Sequence, residues 1–149
     1  MKSKFSPEKI ALVDYRVMNV SLKDSFESLR LEDIDFGVEF GYEMSFNLEE
    51  KLMRSDLKIT LTIKNEQLLE SPKAFFQILY LYKVENIDQL IWKEDDNYRV
   101  DDLLSSSIAA ISYSTARGVV RNYLSGSSFQ EFVLPIISPS ILLEPSKNK

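Results

Sequence analysis

Between Ile34 and Leu48 every even-numbered residue is apolar (Ile34, Phe36, Val38, Phe40, Tyr42, Met44, Phe46, Leu48). The residues between them are Asp35, Gly37, Glu39, Gly41, Glu43, Ser45 and Asn47. A period of two sustained over that length fits a β-strand with one dry face and one wet face, and so clean an alternation points to antiparallel pairing. At about 3.3 Å per residue the strand would run about 50 Å, well past the usual length, so Gly37 and Gly41 read as bends.

Three further segments carry strand patterns. Leu57, Ile59, Leu61 and Ile63 alternate with polar residues close behind the first strand, which predicts a hairpin. Residues 12–22 place Val13, Tyr15 and Val17 on one face and resume at Val20 and Leu22, a phase slip at Val17–Met18 that reads as a bulge. Residues 74–84 are apolar on both faces and predict a strand covered on both sides. Lys23–Asp33 is too long for a tight hairpin and holds Phe26, Leu29 and Leu31 among charges, which predicts a crossing loop with apolar anchors. Asn86–Trp92 has helical spacing for one or two turns, ahead of the acidic Glu94-Asp95-Asp96. Four strands ahead of any long helix give an α+β fold: a four-stranded antiparallel sheet, then one long helix and one short C-terminal helix. The whole chain, 1–149, reads as one domain with flexible ends at 1–10 and 144–149.

The long helix runs from Asp102 to Tyr123 or Leu124, capped by Asp101 or Asp102 and closed by Gly126. At about 100° per residue its apolar side chains fill an arc of about 220°, although one core asks for little more than about 100°. The surplus predicts a subunit interface on Ile108, Ala109, Ser112, Ala116, Gly118 and Val119, where small residues admit a second backbone; the alternative is that the chain's own loops and tail fill the arc. The tail from Ser128 to Pro145 is cut by prolines and must travel extended. Ser138-Pro139 then predicts the start of a short helix carrying Ile141, Leu142 and Leu143.

The chain contains no histidine and no cysteine, which removes imidazole-based catalysis, thiol nucleophiles, disulfides and Cys/His metal sites. A formal charge of −5 disfavours nucleic acid. With glycine only at 37, 41, 118 and 126 there is no phosphate-binding loop, so no nucleotide cofactor is expected. Glu94, Asp95, Asp96, Asp101 and Asp102 lack the spacing of a calcium loop and read as a solvated acidic stretch; no metal site and no catalytic residue is assigned. Arg117 and Arg121 lie one turn apart and suit an anion, an ion pair between subunits, or plain solvation. Neither an export signal nor a membrane-spanning run is present, so the expected location is cytoplasmic. Large apolar residues in the loop, the 87–92 segment and the tail exceed what one small core needs, and that excess points to binding and not to an enzyme.

Tyr113-Ser114-Thr115-Ala116-Arg117-Gly118, followed by Leu134-Pro135-Ile136-Ile137-Ser138-Pro139, resembles the end of SecB-type protein-export chaperones. In that family an alanine–arginine pair late in the long helix precedes a loop, a leucine–proline turn and a short final helix, and the order of elements over about residues 12–143 agrees. The resemblance implies an ATP-independent holdase without cofactors, a homotetramer built as a dimer of dimers, and unfolded client proteins held in apolar grooves. The family's groove maps onto Phe26, Leu29, Leu31, Ile141, Leu142 and Leu143 as client contacts. Members that hand clients to the SecA motor place acids along the first strand, where this chain has Asn19 and Lys23, and the tail here ends in lysines. Glu39 and Glu43 nevertheless keep the second strand's wet face acidic. The implied partner is therefore SecA or, as for SecB-like proteins dedicated to one protein, an aggregation-prone antitoxin.

Overall fold

The computed structural model describes residues 3–25, 35–64 and 70–144. Strands β1 (Ile10–Lys23), β2 (Asp35–Asn47), β3 (Leu52–Lys64) and β4 (Lys73–Val84) form an antiparallel sheet in the order β1-β4-β3-β2. β1 and β2 therefore occupy opposite edges, and residues 26–34 between them, most of the expected crossing loop, lie outside the described residues. A short hairpin, β5 (Ile91–Glu94) with β6 (Asn97–Val100), precedes helix α1 (Asp102–Leu124), and α2 (Ser140–Leu143) closes the described chain. The α+β architecture is the one the strand and helix patterns predict.

The alternation in β2 and β3 sets the register. Phe36, Val38, Phe40 and Tyr42 lie opposite Ile63, Leu61, Ile59 and Leu57 without a slip, so one face of both strands is apolar throughout. The expected bends at Gly37 and Gly41 do not occur, because the pairing is continuous across both. A Cβ at Gly37 would stand 3.0 Å from Lys64 Cε, so this glycine makes room for a lysine stem on the wet face and does not break the strand. β1 carries two irregularities, at Leu12/Asp14 and at Val17/Asn19. The second is the anticipated bulge; the first moves Val13 out of the row and leaves Leu12, Tyr15 and Val17 on the helix side, since they face the buried Tyr82, Tyr80 and Ile78.

Among the described residues no element covers the second face of β4, contrary to the expectation of a strand covered on both sides. Its even positions, Ala74 to Val84, are buried, whereas Phe75, Gln77, Leu79 and Leu81 are half-exposed among the polar side chains of β1 and β3 opposite them. Arg16 and Asp56 lie opposite Leu79 in the register, and Arg54 opposite Leu81. The 86–92 segment gives a single 3-10 turn at Ile87–Gln89, after which Ile91 and Trp92 enter β5; Asp95, at φ 55, makes the hairpin turn within the acidic stretch. That hairpin is too short for periodicity to reveal.

The Asp101 carboxylate accepts from the N–H groups of Leu103 and Leu104 at 2.9 and 3.3 Å, and Gly126 adopts φ 79 just past the helix end. Helix α1 lies on β3 and β4 through Leu104, Ile108, Ala109, Ser112, Ala116, Val120 and Leu124, all buried. Ile108, Ala109, Ser112 and Ala116, expected at a subunit interface, are buried within the protomer, where the small Ala109, Ser112 and Ala116 bring the helix close to its own sheet. Ser112 Oγ sits 2.9 Å from Ser55 Oγ and 2.7 Å from the Tyr82 hydroxyl, and Ser55 Oγ bonds Tyr42 at 2.8 Å. Gly118 is open and Val119 half-exposed.

Asp24, just beyond β1, accepts from the Ser128 N–H at 3.0 Å and so ties the start of the crossing connection to the turn after α1. Burial pushes its carboxyl up, but hydrogen bonds from Ser128 and Ser25 outweigh that and hold it below its ordinary value. A depressed folded pKa means that the tie contributes fully above the unfolded value of about 3.9 and is lost as pH falls through the folded one. Amide exchange at Ser128, corrected for its intrinsic pH dependence, is expected to lose protection below about pH 4. Unchanged protection down to about pH 2 would show the tie to be idle.

Candidate functional site: an apolar surface along the tail and the first strand

After α1 the chain turns back on itself. Ser127 Oγ donates to Leu124 O at 2.7 Å and accepts from Phe129 N–H at 3.0 Å, which closes the turn and aims Phe129 inward. Phe129 and Phe132 are buried against Phe36 of β2, with ring centroids 6.3 and 4.9 Å away. Beyond them the proline-cut segment runs back along α1 without regular structure, because Pro135 and Pro139 cannot donate to a helix or a ladder. Two side chains of α1 hold it there: the Tyr113 hydroxyl donates to Pro135 O, and Arg117 Nε donates to Leu134 O at 3.1 Å.

The sheet thus covers one flank of α1 and the returning tail lies against it at Tyr113 and Arg117, while Leu103, Ile111 and Tyr123 stay exposed. At the end of the tail α2 packs on β2 and α1. It begins one residue later than the Ser-Pro pattern predicts: Pro139 is the flanking residue, and the Ser138 hydroxyl meets Ser140 Oγ at 2.9 Å instead of capping a backbone N–H.

The client contacts assigned from the sequence separate here. Phe26, Leu29 and Leu31 lie outside the described residues. Leu142, also expected as a client contact, is only 6% exposed and packs with the core: a four-residue helix on a sheet must turn one side chain inward, and this is the one. Leu143 is half-buried against the core, while Ile141 is 51% exposed. The tail also exposes Val133 and, at 85%, Ile136, neither of which was among the expected client contacts. Their signal was the proline-cut backbone, which forces alternate residues outward whatever their polarity.

A second open apolar surface lies on β1. Leu12, Tyr15, Val20 and Leu22 face the helix side of the sheet, yet α1 lies over β3 and β4 and leaves them exposed. Tyr15 stacks on Tyr80 at 6.1 Å, and Tyr123 of α1 meets Phe76 edge-on at 5.9 Å at the border of this surface. On the opposite face of the sheet, Asn19 Nδ2 donates to Gln77 Oε1 and Gln77 Nε2 donates to Asp56, while Lys23 pairs with Glu70 at 3.0 Å.

The ionisable groups of the interior are tyrosines held neutral. Burial pushes the Tyr82 hydroxyl up to about 12 and raises Tyr80, Tyr42 and Tyr113 as well, with the Arg117 charge partly opposing the shift at Tyr113. Among the described residues no three acidic side chains gather to hold a metal ion, and no helix is long and apolar enough to cross a membrane. The arrangement suits the binding of apolar side chains.

No protein-family model matches the sequence, and no curated protein matches it. Solved structures do. A SecB-like chaperone of Mycobacterium tuberculosis, in complex with a ChAD peptide from the HigA1 antitoxin, superposes with a TM-score of 0.62 at 15% identity, over 88% of this chain and 92% of that one. A Streptococcus agalactiae protein of unknown function gives a TM-score of 0.44 at 10% identity, over 86% of this chain and 96% of that one. The chain has the SecB-like α+β fold.

The two neighbours in α2 are expected to behave differently on truncation. Leu142→Ala should cost about 2–5 kcal/mol in denaturant unfolding, as a buried leucine does, whereas Ile141→Ala should stay within about 0.5 kcal/mol. Equal effects would mean that α2 is not seated as described.

Proposed function

We propose that this chain is an ATP-independent holdase that binds unfolded polypeptides through the apolar surface of its tail and final helix. The observation that carries the reading is apolar area the protomer leaves uncovered on a SecB-like fold: Val133, Ile136 and Ile141 on one side, and Leu12, Tyr15, Val20 and Leu22 on β1. An unfolded chain exposes apolar side chains and unpaired backbone, and an extended groove of apolar residues holds both without reading sequence. Many weak contacts then add through avidity.

The β1 surface is proposed for sister copies. A strand of 14 residues at a sheet edge, with apolar residues uncovered on its helix side, invites pairing with its own kind, and the open stripe of α1 at Leu103, Ile111 and Gly118 offers a second contact for a dimer of dimers. A narrower role, as the dedicated chaperone of one antitoxin, is favoured by one observation: the M. tuberculosis protein of this fold is bound to an antitoxin peptide. Asn19 and Lys23 on β1, where SecA-docking relatives carry acids, support that narrower role over transfer to SecA. The working location is proposed to be the cytoplasm.

Without nucleotide, a stoichiometric amount of this protein is expected to suppress the aggregation of a chemically denatured model protein. The double variant Ile136→Asp/Ile141→Asp should weaken that protection roughly tenfold or more, since two apolar contacts of about 1 kcal/mol each are lost. A wild-type chain that leaves aggregation unchanged would overturn the holdase reading, and recovery of one stoichiometric partner with no unfolded chains would select the dedicated role. Light scattering should give four times the 17.2 kDa protomer mass. Gly118→Phe, at a position where an added Cβ meets nothing within 4 Å, should split that assembly without unfolding the protomer; retention of full mass would move the interface elsewhere.

A further inference from the structure

Between α1 and the returning tail lies a cleft of about 150 Å³, walled by Ala109, Ala110, Tyr113 and Ser114 on one side and Ile136, Ile137, Pro139 and Leu142 on the other, with Arg117 at its margin. Its volume matches one branched or aromatic side chain, since a cavity of about 150 Å³ accepts benzene. Arg117 is part-buried there and uses its Nε on Leu134 O. No acidic side chain among the described residues forms an ion pair with it, so the outer edge of its guanidinium has donors to offer. A half-desolvated arginine without a counter-charge calls for an anion, and its planar fork matches a carboxylate.

One further feature selects among carboxylates. The tail segment that walls the cleft has no regular structure, and the backbone N–H and C=O groups of Ile136 and Ile137 have no hydrogen-bond partner among the described residues. A peptide laid beside that segment can pair with those groups, whereas a simple organic acid cannot. The geometry points to a site for the C-terminal residue of a polypeptide: its apolar side chain fills the cleft, its free carboxylate meets Arg117, and its backbone pairs with Ile136–Ile137. This rests on the reading of the tail as a polypeptide-binding surface and adds to it a preference for chain ends. It also gives Arg117 a role that its position on the helix alone did not choose.

The test follows the backbone amides of Ala110, Tyr113 and Ile137 by NMR while the full-length protein is titrated with three probes. These are a Gly/Ser octapeptide ending in leucine with a free carboxylate, the same peptide with an amidated end, and hexanoate. The free-acid peptide is expected to shift those amides saturably, with the amidated peptide and hexanoate each about tenfold weaker or more, and with added salt weakening the acid alone. Arg117→Gln should bring the acid down to the level of the amide. Because that variant also loses the Leu134 bond, Ala110→Leu serves as the second: it fills the cleft, leaves Arg117 in place, and should abolish the shifts at an unchanged melting temperature. Equal binding of acid and amide, or hexanoate as tight as the peptide, overturns the proposal while aggregation suppression still supports the client reading. Absence of shifts at all three amides overturns it too, and loss of aggregation suppression in the wild type is the separate failure of the broader reading.

Discussion

The close seat of α1 on β3 and β4 is the contact on which the other features depend. Ala109, Ser112 and Ala116 remove bulk where the helix crosses the sheet, and Ser55 does the same from below. The hydroxyls left there satisfy one another in a chain from Tyr42 through Ser55 and Ser112 to Tyr82. Apolar packing alone permits a helix to slide along a sheet; buried hydroxyls permit only the register in which each finds a partner, because an unpaired one costs about 1–3 kcal/mol. Tyr80 keeps its hydroxyl without a partner among the described residues and stacks on Tyr15 and Tyr82 instead.

A helix seated over the middle strands cannot cover the edges as well. The uncovered area on β1 follows from that placement: one helix about 10 Å wide lies over a sheet whose strands are spaced about 4.8 Å apart, so an edge strand stays outside its footprint. At the β2 edge the tail makes up the deficit, with Phe129, Phe132 and Leu142 packed against the aromatic row. At the β1 edge nothing within the described protomer does so. The same returning tail walls the cleft beside Arg117, so the surface for other chains and the completion of the core are two sides of one segment.

How much of this could be read beforehand depends on the length of each pattern. β2, β3 and α1 repeat their period many times, and their positions were legible, with the cap narrowed to Asp101 or Asp102 and settled at Asp101 by the fold. The β5–β6 hairpin has four residues per strand, too few for a period to show, and α2 makes barely a turn. The arc on α1 was legible as an excess but not as an address. Apolar positions on a helix say that something covers them, and whether it is a sheet, a tail or another subunit depends on contacts between residues far apart in the chain, such as Tyr113 with Pro135. The same ambiguity moved Leu142 from the surface into the core and left Ile141 outside.

The sequence by itself determined the class of fold, the antiparallel pairing and a chemistry without thiols or imidazoles, because strand alternation and residue inventory are local properties. Only the tertiary structure decided which apolar residues are consumed by the protomer and which remain for other chains. That division is set by where one helix comes to rest on a sheet wider than itself, and no single segment encodes it.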